Sequence, residues 1–222
     1  MISRRIAAWI VLFSLAFAFV ESSIVVYLRD LYYPDGFSFP LKQIRAGHIL
    51  VELFREFSTM VMLISLAWMA GKTRWQRMAW FMIAFGVWDI FYYVWLKVIL
   101  NWPASLFDWD VLFLIPVPWI GPVIAPVLIS VLLIVAGALI LRREATGREF
   151  HAPRGSWGLA ITGTVCILYT FTRDTDATLK FAVPQPYWYW LFLSGLLCYI
   201  GAMFAAFSRQ NQNPPAGTGM RM

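Results

Sequence analysis

The chain has 222 residues, of which 60% are hydrophobic and 14% charged, with a mean hydropathy of +0.67, whereas about a quarter of the residues of a soluble domain are charged. That composition excludes an ordinary water-soluble globule and reads as a membrane protein. The net charge of +6 does not imply a nucleic-acid partner, because the basic residues sit in short clusters between apolar runs and no nucleic-acid-binding motif is present.

Met1 to Arg5 is a short basic start. Ile6 to Leu28 is then apolar apart from Glu21 and three serines, long enough at about 1.5 Å per residue to span the hydrocarbon. Ala16-Phe-Ala18 has the small-x-small form of a signal-peptide cleavage site, but the apolar run continues ten residues beyond it, which favours a retained first span. Residues 29 to 46, with Pro34, Gly36, Pro40 and paired tyrosines, read as a loop at the membrane surface.

Span 2 covers about 47 to 70 and ends at Gly71-Lys-Thr-Arg-Trp-Gln-Arg77; span 3 covers about 78 to 100. The stretch 101 to 119 is apolar but interrupted by proline, so it is expected to form an interfacial or re-entrant cap instead of a regular span. Span 4 runs from about Trp119 to Leu141, span 5 from Trp157 to Phe171, and span 6 from the aromatic anchor at Tyr187 to Phe207. Residues 1–208 thus form one six-helix transmembrane domain, and 209–222, polar and rich in glycine and proline, read as a disordered tail. No internal repeat is visible. Cys166 and Cys198 lie in apolar runs and read as small hydrophobes.

Six spans place both termini on one side with residues 71–77 and 142–156. Eleven of the eighteen Lys and Arg then lie on that side and five on the other, with Arg55 and Lys97 inside spans. The positive-inside rule makes the first side cytoplasmic, in the inner (plasma) membrane.

The stretch that organises the chain is His48 to Thr59, because it runs into Met60 to Trp68 without a turn signal. It therefore places charge inside an apolar helix, where an ionisable side chain is costly and needs a partner. One residue per 100° sets His48, Glu52, Glu56 and Thr59 on one stripe with Arg55 beside it. Counting helix rise from the outer ends of spans 1 to 3, Glu21 and Glu52 fall near 10 Å in depth, and Arg55, Glu56 and Asp89 at about 14 to 17 Å. His48 and Lys97 lie near the outer surface, and Asp110 overhangs from the cap. Four carboxylates against one deep arginine leave surplus negative charge, to be met by protonation or by a cation or cationic ligand. An arginine–carboxylate clamp between helices is the plain structural alternative.

His48, Glu52 and Glu56 have the i, i+4 spacing of helical metal ligands, but di-iron bundles draw on two Glu-x-x-His pairs and the only other histidine, His151, lies on the cytoplasmic side. No metal site is therefore assigned, and the residues name no cofactor. Buried carboxylates also serve proton- or cation-coupled transport, although the polar residues crowd into three spans and leave no continuous path to the cytoplasm.

In span 1, Glu21 is followed by Tyr27 and by Asp30-Leu31; span 2 has Glu56-Phe-Ser-Thr59, and span 3 has Asp89 leading into Tyr92-Tyr93. Over about residues 17–95 this pattern resembles the emopamil-binding and sigma-2 receptor (EXPERA) family, which includes sterol isomerases. The chain has Phe17 where those isomerases carry a histidine, Arg55 has no counterpart, span 4 lacks their asparagine, and spans 5 and 6 are additional. The resemblance implies a lipid-like or amine-bearing ligand among carboxylates. In isomerase chemistry one acid would protonate an alkene and a base remove a proton elsewhere, roles open to Glu21, Glu52, Glu56 and Asp89. His48, Arg55, Thr59, Tyr92, Tyr93, Lys97, Asp110 and Trp119 are the expected ligand-binding residues. The partners expected are the bilayer and a hydrophobic small molecule or lipid; further copies of the chain or other membrane-complex subunits are the alternative.

Overall fold

The computed structural model describes residues 4–208, and the tail expected at 209–222 lies outside them. The elements in order are α1 (Arg4–Tyr32), α2 (Ala46–Ala70), α3 (Arg74–Leu100), β1 (Trp109–Phe113), β2 (Trp119–Pro122), α4 (Ile124–Ala145), α5 (Arg154–Thr172), the short α6 (Thr175–Leu179) and α7 (Tyr189–Ser208). Four helices, α1, α3, α4 and α7, are long and apolar enough to cross a membrane by length and composition. The other two long helices, α2 and α5, have 25 and 19 residues.

Helix ends follow local chemistry. Gly71 closes α2, its N–H bonded to the Ala67 carbonyl, and the Thr73 hydroxyl then caps α3 by accepting from the Gln76 N–H at 3.1 Å. Asn101, in the left-handed conformation at φ 53°, ends α3.

Helix α3 is the hub, packed on α1, α2 and α4, while α5 pairs with α7. The α3–α4 contact is a backbone-to-backbone approach made possible by glycine. A Cβ on Gly86 would sit 2.6 Å from the Ser130 carbonyl oxygen, and one on Gly137 would sit 2.6 Å from that of Ala79. In lipid the hydrophobic effect between helices is weak, so small residues that permit close packing carry the association. At one end of the helices the α2–α3 turn, the α4–α5 connection and the last turn of α7 meet through Trp75, Phe150, Trp157 and Phe207. At the other end the connections after α1, α3 and α6 converge.

The stretch 101–119 forms no regular helix. Most of it, with the start expected for span 4, folds into an antiparallel β-hairpin pairing Trp109 with Pro122, Asp110 with Gly121, Val111 with Ile120 and Phe113 with Trp119, interrupted between Val111 and Phe113. The prolines dictate this. Pro116 and Pro118 fall in the turn and Pro122 at the end of its strand, where no ladder N–H is lost. Helix α4 consequently begins at Ile124, five residues later than Trp119.

Alanine should be tolerated differently at two helical glycines. Gly137→Ala should lower the unfolding midpoint in detergent, at a cost of about 1 to 3 kcal/mol for forcing the α3–α4 contact apart. Gly155→Ala, which meets open space, should be neutral or slightly stabilising, since alanine is the better helix former by roughly 1 kcal/mol or less.

Candidate functional site

Helix α2 buries polar groups and exposes apolar ones. Glu52, Glu56, Thr59, Leu63 and Ala67 form its buried stripe, whereas Val51, Phe54, Phe57, Val61 and Ile64 face outward. In water this would be inside out; against hydrocarbon it is the arrangement that keeps charge out of lipid.

The buried stripe faces a cavity of about 180 Å³ between α1, α2, α3 and the hairpin, lined by Glu21, Glu52, Arg55, Glu56, Asp89 and Asp110 among others. Arg55 is the central cation. Its Nε and Nη2 donate to one oxygen of Glu52 at 2.9 and 2.7 Å, and its Nη1 forms an ion pair with Glu21 on α1. Thr59, almost fully buried, donates to Glu21 at 3.2 Å and to the Arg55 carbonyl at 3.1 Å. One arginine thereby ties two carboxylates from two helices into a fixed triad.

Glu56 and Asp89 take their hydrogen bonds from neutral donors, although Arg55 is near enough to Glu56 to act on it through space. Glu56 accepts the backbone N–H of Leu114 on both oxygens, at 2.9 and 3.1 Å, where the chain has left the ladder just beyond β1. It thus satisfies an N–H that would otherwise be unpaired. Asp89 accepts the Ser130 hydroxyl at 2.8 Å. No ion pair reaches either carboxylate among the described residues.

Asp110 is buried and ion-paired with Arg29 at 3.1 Å, and the Arg29 guanidinium lies 3.7 Å over the Trp102 ring and 4.4 Å over Phe37. Burial pushes the Asp110 carboxyl above its usual range, opposed by Arg29 and by the backbone N–H of Val111. Among the described residues, Arg29 Nη1 and the Trp88 indole N–H are buried without a hydrogen-bond partner, and both residues line the cavity.

Of the residues expected from the sequence, Tyr92 and Tyr93 line the cavity, and Thr59 supports it from behind. Three do not join it. His48 bonds through Nδ1 to the Tyr32 hydroxyl at 2.7 Å near the start of α2. Lys97 turns to the end of its own helix, donating to the Asn101 and Pro103 carbonyls at 3.3 and 2.9 Å. Trp119 stacks on Phe171 from α5 and packs against the ring of its cross-strand partner Phe113, which stands between it and the cavity's other residues. Tyr27 is 72% exposed on the outer face of α1. Sequence reasoning missed Arg29 and Ser130. Arg29 lies two turns beyond Glu21, so a helical count would have placed it on the same face; Ser130 gave no signal, because it depends on how α4 packs on α3.

Among the described residues no group of three His, Cys, Asp or Glu side chains is placed to hold a metal ion. Five carboxylates and two arginines line the cavity, so if all were ionised three negative charges would remain; such a site accepts protons or a cation. Comparison with known protein families, with curated proteins and with solved structures finds no match, so the EXPERA resemblance rests on the residues quoted above.

The Arg29–Asp110 pair predicts a clear double-mutant cycle. Asp110→Leu alone strands a buried guanidinium and should cost about 3 to 5 kcal/mol of stability, whereas Arg29→Met/Asp110→Leu should recover most of it. Thermal unfolding of the four species in one detergent measures the coupling.

Proposed function

We propose that the protein is a multi-pass inner-membrane protein of six spans with both termini cytoplasmic, and that its carboxylate-lined cavity, in the outer half of the membrane, binds or processes by acid–base chemistry a hydrophobic, lipid-like ligand. The observation that carries this reading is the surplus of carboxylates around an apolar-walled space: Arg55 is consumed by Glu21 and Glu52 and Arg29 by Asp110, leaving Glu56 and Asp89 without a basic partner. An ion-pair clamp accounts for Glu21, Glu52 and Asp110, each of which reaches an arginine, but not for Glu56 and Asp89. The volume refines the ligand. At about 180 Å³ the cavity is below the roughly 300 to 1,000 Å³ of sites that enclose drug-sized molecules, so it takes a polar head with a few carbons while the rest of the ligand lies among the apolar side chains toward the lipid. An amine-bearing head answers the charge; for an uncharged head, a protonated Asp89 or Glu56 is the acid and an ionised neighbour the base.

A second reading, the structural subunit, draws on one observation, the bonds from Glu56 to the Leu114 N–H, which give that carboxylate work in holding the hairpin.

The two readings part on amide substitution. Glu52→Gln, Glu56→Gln and Asp89→Asn each retain an acceptor oxygen and relieve like-charge repulsion, so they should keep or raise the unfolding midpoint. They should also lose, by tenfold or more, the hydrophobic species that mass spectrometry finds co-purifying with the parent in mild detergent. Unfolding of the amide variants, together with full ligand retention in an Arg55→Met/Glu21→Leu double variant, would establish the clamp instead.

The topology has its own check, in a background with Cys166 and Cys198 replaced by alanine. Cysteines at Ser38 and Asp176, both exposed, should react with a membrane-impermeant maleimide on intact cells, and cysteines at Lys72 and Arg148 only after permeabilisation.

A further inference from the structure

Outside the carboxylate cavity, the loop end of the helices holds a second recess of about 540 Å³, contributed by the connections after α1, α3 and α6. Its walls are aromatic: Phe37, Phe39, Trp102, Phe107 and Trp109. Four of these rings meet in series nearly edge to face, Trp102 against Phe37 at 5.9 Å and 84°, Phe37 against Phe39 at 5.8 Å and 74°, and Phe39 against Trp109 at 6.3 Å and 72°. Edge-to-face packing fixes the rings with part of their negative faces turned away from their neighbours.

Among the described residues the one charged residue on this wall is Asp108, and no lysine or arginine lines it. Asp108 Oδ2 accepts the backbone N–H groups of Ala104 at 2.7 Å and Ser105 at 3.2 Å, so the carboxylate is held in place by a turn and not by a cation; no ion pair reaches it among the described residues. The same aromatic group already holds a cation on its inner side, where the Arg29 guanidinium covers Trp102 at 3.7 Å. A belt of interfacial aromatics accounts for the rings; Asp108, held by its own turn without a base, lines the same recess and adds a negative charge to it.

We propose that this recess, which shares only Phe37 with the lining of the carboxylate cavity, is a second binding site, for a quaternary ammonium group held by ring faces and by Asp108. Ring faces and a carboxylate together make the chemistry that recognises a bulky, weakly hydrated cation. A trimethylammonium lipid headgroup and a small soluble quaternary amine share that chemistry, and the test separates them.

The full-length protein in nanodiscs of phosphatidylglycerol is titrated with tetramethylammonium, with 2,2-dimethylpropanol as the uncharged molecule of similar shape, and binding is read by saturation-transfer NMR on the methyl protons. Tetramethylammonium should bind saturably and the alcohol should not. Asp108→Asn keeps an acceptor oxygen for the two N–H groups and should weaken binding by about tenfold, and Phe107→Ala, at a ring 63% exposed, by about threefold to tenfold; an unchanged unfolding midpoint in both verifies the fold. Repeating the titration in phosphatidylcholine nanodiscs identifies the source: suppressed binding assigns the site to a lipid headgroup, and undiminished binding to a soluble amine. Absence of saturable binding, equal binding of the alcohol, or indifference to Asp108→Asn would reduce the recess to an aromatic belt. Binding abolished by Asp89→Asn but untouched by Asp108→Asn would move the cation to the carboxylate cavity and overturn this site while leaving the proposed function standing.

Discussion

Everything in this structure depends on where α2 is allowed to put its charges. A carboxylate or guanidinium facing hydrocarbon would have no water to solvate it, and the observed rotation of α2 turns Glu52, Arg55 and Glu56 toward the cavity. That rotation fixes the outward face as Phe54, Phe57, Val61 and Ile64 and the inward face as the polar stripe. Partners must then be delivered from elsewhere: Glu21 from α1 and the backbone of residue 114 from the hairpin. The cavity is thus a consequence of charge placement as much as of packing.

The hairpin shows the same constraint acting on backbone instead of side chains. A proline-interrupted segment cannot satisfy its own N–H and C=O groups helically, and an unpaired group beside a membrane protein's core is expensive. Pairing β1 with β2 satisfies most of them, and Glu56 accepts the Leu114 N–H that the ladder does not reach. The same fold brings Asp110 down onto Arg29, with Trp102 and Phe37 covering the guanidinium. A carboxylate on a connecting segment thereby becomes part of the site.

The acids around the cavity consequently differ in kind. Glu21 and Glu52 share one arginine, Asp110 has another, and Glu56 and Asp89 rest on neutral donors. Groups of one chemical type are thus held by unlike partners, a guanidinium for three of them and neutral N–H or O–H donors for the other two.

The sequence by itself determined the class of protein, the approximate limits of its long helices and the side of α2 that must be inward, because each follows from local quantities: apolar run length, turn residues and a 100° repeat. It also brought Glu21, Glu52, Glu56 and Asp89 into one region, since depth along a helix is a matter of counting. Only the tertiary structure decided the partners. Lys97 prefers its own helix end, His48 a tyrosine hydroxyl and Trp119 the ring of Phe171, choices set by distances between elements that no periodicity encodes. Arg29 was legible in principle from its two-turn spacing to Glu21, but its burial needed the hairpin, whose alternation of Trp109, Val111 and Phe113 is masked in the sequence by the prolines around it. Ser130 was not legible, because its hydroxyl reaches Asp89 at 2.8 Å only where Gly86 and Gly137 let α3 and α4 approach closely enough.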